Sequence, residues 1–222
     1  MTRVRLLPFA LLGLAVLAGP GCGGPRRYKP DSARSQREAM EARIAQVLAE
    51  EVSAIAPPPS RVAVVYAAPD TNFGDEHARI LSVLRVALRK RGGEPLEWAL
   101  AAPPGASSAG PGYEPPPAEL TGAWLAQHLH AAPDVGGIIS LLDAPAGTPA
   151  QLPADLPPLV CLAPLDGQRL GPLLRAGRVA AALVPRRTPA PAREQDWFDL
   201  RFELVRPDTV AAWEQARSGA QP

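Results

Sequence analysis

Arg61-Val62-Ala63-Val64-Val65-Tyr66-Ala67-Ala68 is the stretch that decides the fold. Its apolar side chains fall on odd and even positions alike, so both faces of the predicted strand must be covered. A loop, Pro69-Asp70-Thr71-Asn72-Phe73-Gly74, leads into residues 75–91. There Ile80, Leu81, Leu84, Ala87 and Leu88 share one side of a helix, which Gly92-Gly93 ends. A second strand is expected over 94–100, carrying Leu96 and Trp98.

The same alternation continues toward the carboxyl terminus. Residues 101–118 are mostly Ala, Pro, Gly and Ser and predict a long surface loop. A helix opens at Leu120 or Thr121, with Trp124, Leu125, His128 and Leu129 on its packed side. Strands are expected at 135–142, 159–165 and 179–184, and another at 200–205. Short helices fall near 168–176 and from Asp208 onward. The strands at 62–67, 135–142, 159–165 and 179–184 scarcely alternate, which fits parallel strands covered by helices on both sides. The predicted class is therefore α/β, a Rossmann-like three-layer sandwich with a mostly parallel sheet of five or six strands, within a single domain at 60–217.

On the amino side, Met40, Ile44, Val47 or Leu48, Glu51 or Val52, and Ile55 recur at helical spacing. A helix over 32–56 follows, stopped by Pro57-Pro58-Pro59. Arg37, Glu38, Glu41, Arg43 and Glu50 are expected mostly off its apolar stripe. Its roles stay open: a stalk, a partner-binding helix with an exposed patch at Ile44, Val47 and Ile55, or a packed layer. A lone helix this short is marginal in water, which favours packing.

Residues 1–21 read as an export signal: Arg3 and Arg5, then an apolar core over 6–18. Thirteen residues span only about 20 Å as a helix, against roughly 30 Å of hydrocarbon. The junction Leu17-Ala18-Gly19-Pro20-Gly21-Cys22-Gly23-Gly24 resembles the bacterial lipoprotein signal, with small residues before the acceptor cysteine and Gly19 where leucine is usual. The resemblance implies cleavage before Cys22, lipid on that thiol, and a short polar tether over 22–31. It also implies an envelope location, on the outer membrane facing the periplasm in a host with two membranes. An ordinary secretory leader is the alternative.

The mature chain, from Cys22, has 21 basic and 22 acidic side chains. That balance gives no long-range pull toward nucleic acid or an acidic membrane, and sparse aromatics add no stacking surface for nucleic acid. The basic group Arg85, Arg89, Lys90 and Arg91 suits the end of a helix dipole. Cys161 lies in the apolar run Leu159-Val160-Cys161-Leu162-Ala163 and is expected in the core. The prolines cluster at 57–59, 115–117, 153–158 and 185–191, as links between ordered segments.

In an open parallel sheet, ligands sit beyond the carboxyl ends of the strands. The loops there offer Asp70, Asn72, Phe73, Asp75, Asp143, Asp166, Arg186 and Arg187. They combine donors, acceptors and an aromatic, enough for a small polar ligand; the same set also reads as a solvated rim. Asp75 is also read as a helix cap. Gly136-Gly137 inside a strand suggests close backbone approach. No dinucleotide fingerprint, P-loop or hydrolase elbow is present, and no cofactor is expected. His77, His128 and His130 lack metal-site spacing and read as one half-buried and two surface histidines. The leading function is a membrane-anchored, non-catalytic binding or assembly module with an envelope protein or small polar ligand as partner. The alternative is a hydrolase or other enzyme with its site at the strand ends.

Residues 61–186 resemble one lobe of the type I periplasmic solute-binding proteins, which share their fold with the sugar-responsive repressors. RVAVVYAAPDTNFGDEHARILSVLRVALRKRGGE resembles their first strand, ligand-facing loop and first helix, with Asn72 and Phe73 near the loop's usual Asn and Phe. DVGGIISLLDAP is similar to the third strand, PPLVCLAPLDG to the fourth, and AGRVAAALVPRR to the approach to the fifth. Those proteins close two lobes over a ligand, and the 162 residues from the first strand are too few for both. The resemblance thus implies either a degenerate single lobe or a lobe that pairs with another chain.

Overall fold

The computed structural model describes residues 32–56, 58–68, 74–101, 119–163, 169–186, 198 and 201–219. The elements run α1 (Ser32–Ile55), β1 (Ser60–Ala67), α2 (Gly74–Lys90), β2 (Gly93–Leu100), α3 (Gly122–Ala131) and β3 (Val135–Ser140). They continue with β4 (Leu159–Leu162), α4 (Leu170–Arg175), β5 (Ala181–Pro185), β6 (Phe202–Val205) and α5 (Val210–Ser218). The strands form one sheet in the order β2-β1-β3-β4-β5-β6. All neighbours are parallel except β5 and β6.

Period-two alternation divides the strand side chains between two cores. From β1, Ala63, Val65 and Ala67 point into a core completed by Leu125 of α3, Leu173 and Leu174 of α4, and Trp213 of α5. Val62 and Val64 point into the other, built with Ile44, Leu48 and Val52 of α1 and Ile80, Leu84 and Leu88 of α2. The sheet is covered on both sides, which is why its strands lack polar alternation. Ser140 is the one polar residue of β3, and it is fully buried.

α1 is the packed layer of the three roles open to it. Ile44 is 2% exposed and Val47 is half-buried, so the expected apolar docking patch along this helix does not exist; Ile55 alone of the three stands out at 41%. Packing is close: a Cβ on Gly137 of β3 would stand 2.8 Å from Val52 Cγ2 and 3.1 Å from Ala56 Cβ. Glu41, expected off the stripe, is buried and receives Arg79 Nε and Nη2 at 2.9–3.1 Å. The basic group at the end of α2 is held by more than the helix dipole: Arg85 bonds Glu97 with two nitrogens, and Arg91 bonds Glu50 of α1.

Candidate functional site

The strand order fixes where a site belongs. The chain steps from β1 outward to β2, then returns past β1 to β3 and proceeds to β4 and β5. The direction of winding reverses between β1 and β3: α2, which follows β1, packs into the core on one face of the sheet, and α3, which leads into β3, packs into the core on the other. In open α/β sheets ligands are bound at such a switch point, beyond the carboxyl ends of the strands.

On the β1 side, this edge is bordered by the first turn of α2. Asp75 is exposed in that turn, one residue after Gly74, so it complements the helix dipole from inside the helix instead of preceding it as a cap. His77 is 6% exposed, and its Nδ1 accepts the Ala67 N–H at 3.0 Å. This bond satisfies the last amide of β1 and fixes α2 to the strand end. Burial lowers the imidazole pKa to about 4, so the ring is neutral and able to accept at neutral pH.

On the β3 side, the chain is shaped by Ser140, whose Oγ donates to the Leu142 carbonyl at 3.0 Å. Asp143 is half-buried and its Oδ1 accepts the Ala144 N–H at 2.8 Å. The following segment is tied to the start of α3: Ala146 N–H donates to Leu120 O at 2.7 Å, and Thr121 forms a parallel bridge with Ala146. Gly147, at φ +102°, turns the chain into the 3-10 turn Pro149–Gln151, and Gln151 Oε1 accepts the Thr148 N–H at 2.6 Å. Gly122 permits this approach, because a Cβ there would stand 2.2 Å from Gln151 O. The β3 wall is therefore built from interlocked backbone bonds.

The sequence-predicted residues divide accordingly. Asp75 and Asp143 follow neighbouring strands at the switch point. Arg186 follows β5, about 10 Å from β3 across β4. Its Nε donates to Phe202 O, and its Nη1 pairs with Glu203, whose other oxygen accepts from Trp213 Nε1. That arrangement seats the antiparallel β6. Asp70, Asn72, Phe73, Asp166 and Arg187 lie outside the described residues, as does Cys22.

Ser140 and His77 were missed as shapers of this edge. His77 had a readable signal, since it continues the stripe of Ile80, Leu81 and Leu84. The histidine expectation is corrected: His77 is buried, His128 is half-buried and stacked on Trp124 at 3.7 Å, and His130 is exposed. Cys161 is fully buried, as expected, and burial with the nearby Asp143 charge pushes its thiol pKa up. Among the described residues, no cluster of His, Cys, Asp and Glu is placed to hold a metal ion.

Neither family models nor curated proteins match this sequence. Solved structures match its fold. A protein described as a LacI transcriptional regulator from Bacteroides fragilis superposes with a TM-score of 0.51 at 11% identity, covering 78% of this chain and 61% of that one. The XylFII–LytSN complex gives 0.50 at 9% identity, covering 76% and 60%. A periplasmic ribose ABC transporter protein from Conexibacter woesei gives 0.47 at 14% identity, covering 79% and 62%. The chain spans about three fifths of the length of these solved chains. The first two matches define the class: a mixed α/β, Rossmann-type fold shared with periplasmic-binding-protein-like domains.

Proposed function

We propose that this protein is an envelope lipoprotein, anchored through lipid on Cys22, whose single α/β lobe is a non-catalytic binding module. Its site is the β1–β3 switch point, with Asp70, Asn72, Phe73 and Asp75 following β1 in the chain and Asp143 following β3. Asp166 and Arg187 follow β4 and β5 in the sequence and are assigned as outer contributors, and Arg186 fixes the β5–β6 end. The single observation that carries this reading is the reversal of winding between β1 and β3. Ser140 gives its proton to a backbone carbonyl and Cys161 is sealed in the core, so neither is poised as a nucleophile. This favours binding over the hydrolase alternative.

Asp143 offers acceptor oxygens to hydroxyl or amine groups, which suits a small polar ligand. A thermal-shift screen against small polar compounds is expected to find a stabilising ligand. Asp143→Ala is then expected to weaken its binding while leaving unliganded stability within about 1 kcal/mol. A ligand whose affinity is indifferent to Asp143 and Asn72 defeats the switch point as the site. For the anchor, mass analysis of the mature native protein should find an acylated Cys22 at the amino terminus. Cys22→Ala should release the protein from membranes.

A second reading pairs this lobe with a second chain. Two-lobed binding proteins enclose their ligands, and this chain spans three fifths of its structural neighbours. A single lobe that pairs with a second chain restores an enclosed site. Sedimentation with and without ligand tests it, since ligand-dependent association is the expected result.

A further inference from the structure

Among the described residues, α3, α4 and α5 cover one face of the sheet, and α1 and α2 cover the other. α2 lies over β1 and β2, and α1 lies chiefly over β3 and β4. Beyond α1 the same face runs on to β5 and β6. Leu183 of β5 stands directly opposite Leu204 of β6, and Phe202 precedes Leu204 by two residues. Period-two alternation therefore sends all three side chains to the α1 side.

Along α1, Arg43, Val47, Glu50 and Glu51 recur at helical spacing and border this strip. Between helix and strands lies a groove of about 420 Å³, a size that accommodates a small molecule. Phe198 forms part of its wall and stacks on Phe202 with ring centroids 5.0 Å apart.

The charges around the groove are matched, with one exception. Glu50 pairs with Arg91, Glu51 with Arg206, and Glu203 with Arg186. Arg43 is half-buried, and among the described residues no carboxylate pairs with it. Its partner is the face of the Phe198 ring, whose centroid is 5.7 Å from the guanidinium carbon. Stacking engages the flat face of a guanidinium, while its N–H donors lie in the plane and are directed past the ring.

The geometry points to this groove as a binding site for a small amphipathic carboxylate. The acid group meets the in-plane donors of Arg43, and an aromatic or branched aliphatic body lies on Val47, Leu204 and the Phe198–Phe202 pair. A charge-assisted hydrogen bond to an arginine held in place by stacking is the strong polar contact such a ligand needs. A single negative charge fits better than a dianion, because Glu50 and Glu51 border the same space. The groove is distinct from the β1–β3 switch point. It lies on a face of the sheet, and β5 is two strands from β3, about 10 Å away. Its occupancy needs no ligand at the strand ends.

The test uses the full chain with hydrocinnamate as probe, beside its neutral amide, hydrocinnamamide, and propionate, which lacks the ring. Affinities are measured by calorimetry, and contact by saturation transfer from protein to probe. Hydrocinnamate should bind about tenfold more tightly than the amide, and more tightly than propionate. Arg43→Gln should remove the preference for acid over amide, and Arg43→Lys should retain part of it. Val47→Trp fills the floor with Arg43 in place and should weaken acid and amide alike. Thermal unfolding of each variant checks that the domain is intact. Absence of saturation transfer to hydrocinnamate at millimolar concentration overturns the site, as does equal binding of acid and amide. A preference that survives Arg43→Gln, or that disappears with Asp143→Ala instead, puts the probe elsewhere and overturns it too.

Discussion

Arg79 on α2 grips Glu41 on α1 through two of its nitrogens, joining helices 38 residues apart in sequence. The carboxylate side chain is only 5% exposed while the guanidinium is 46% exposed, so the two partners are not equivalent. Glu41→Ala leaves a guanidinium that water can reach and is expected to lower stability by about 1–2 kcal/mol. Arg79→Ala leaves a buried carboxylate without its counter-ion and should destabilise more than Glu41→Ala. Urea midpoints of the two variants and the double variant test that ordering; Glu41→Ala being the worse of the two would refute it.

His77 makes stability fall as the solution becomes acidic. Its folded pKa of about 4 lies below the ordinary 6.5, so the unfolded chain binds the extra proton between those values. The contribution is fully present above pH 6.5, declines as pH falls, and is gone near pH 4. Its size is roughly 2–4 kcal/mol. His77→Gln keeps an acceptor for the Ala67 amide but does not titrate. Denaturation measured across pH 7 to 4 should show a smaller loss in that variant than in the parent.

At Gly137, α1 lies directly against the sheet. Val at this position would push its Cβ into Val52 and Ala56, with the larger branches adding to the overlap. Gly137→Val should lower stability by about 1–3 kcal/mol through overpacking. Gly136→Ala, whose Cβ would meet only the Ser60 side chain at 3.2 Å, should be milder. Thermal unfolding of the two variants distinguishes them.

Cys161 should resist alkylation in the native state. It has no exposed surface and its thiol is disfavoured as a thiolate. A thiol reagent is expected to label it only at the rate of unfolding, and at full speed in denaturant. Rapid native labelling would mean that β4 is not a central strand.

The apolar runs in β1, β3, β4 and β5 were legible because central parallel strands bury both faces and must be apolar on both. α1 and α2 were legible for the complementary reason, a stripe at helical spacing closed by prolines or glycines. The site was legible only in outline. Asp143 could be placed after a strand from sequence, but its bond to the Ala144 amide, and the shaping of that loop by Ser140, depend on backbone geometry. Arg186 read as a free loop cation because its partners, Phe202 O and Glu203, come from an antiparallel strand sixteen or more residues on. Glu41 read as a surface charge because its partner lies on another helix.

Local pattern by itself determined the order of the elements, the mostly parallel character of the sheet, the burial of Cys161 and the packed face of α2, since all of these depend on spacing within a few turns of chain. Only the tertiary structure decided that β1 and β3 are neighbours, that the winding reverses between them, that β6 runs antiparallel, and that α1 packs alongside α2. Those are matters of which distant segments meet. Short-range periodicity carries no information about that choice, which is made by the simultaneous filling of the two cores on either side of the sheet.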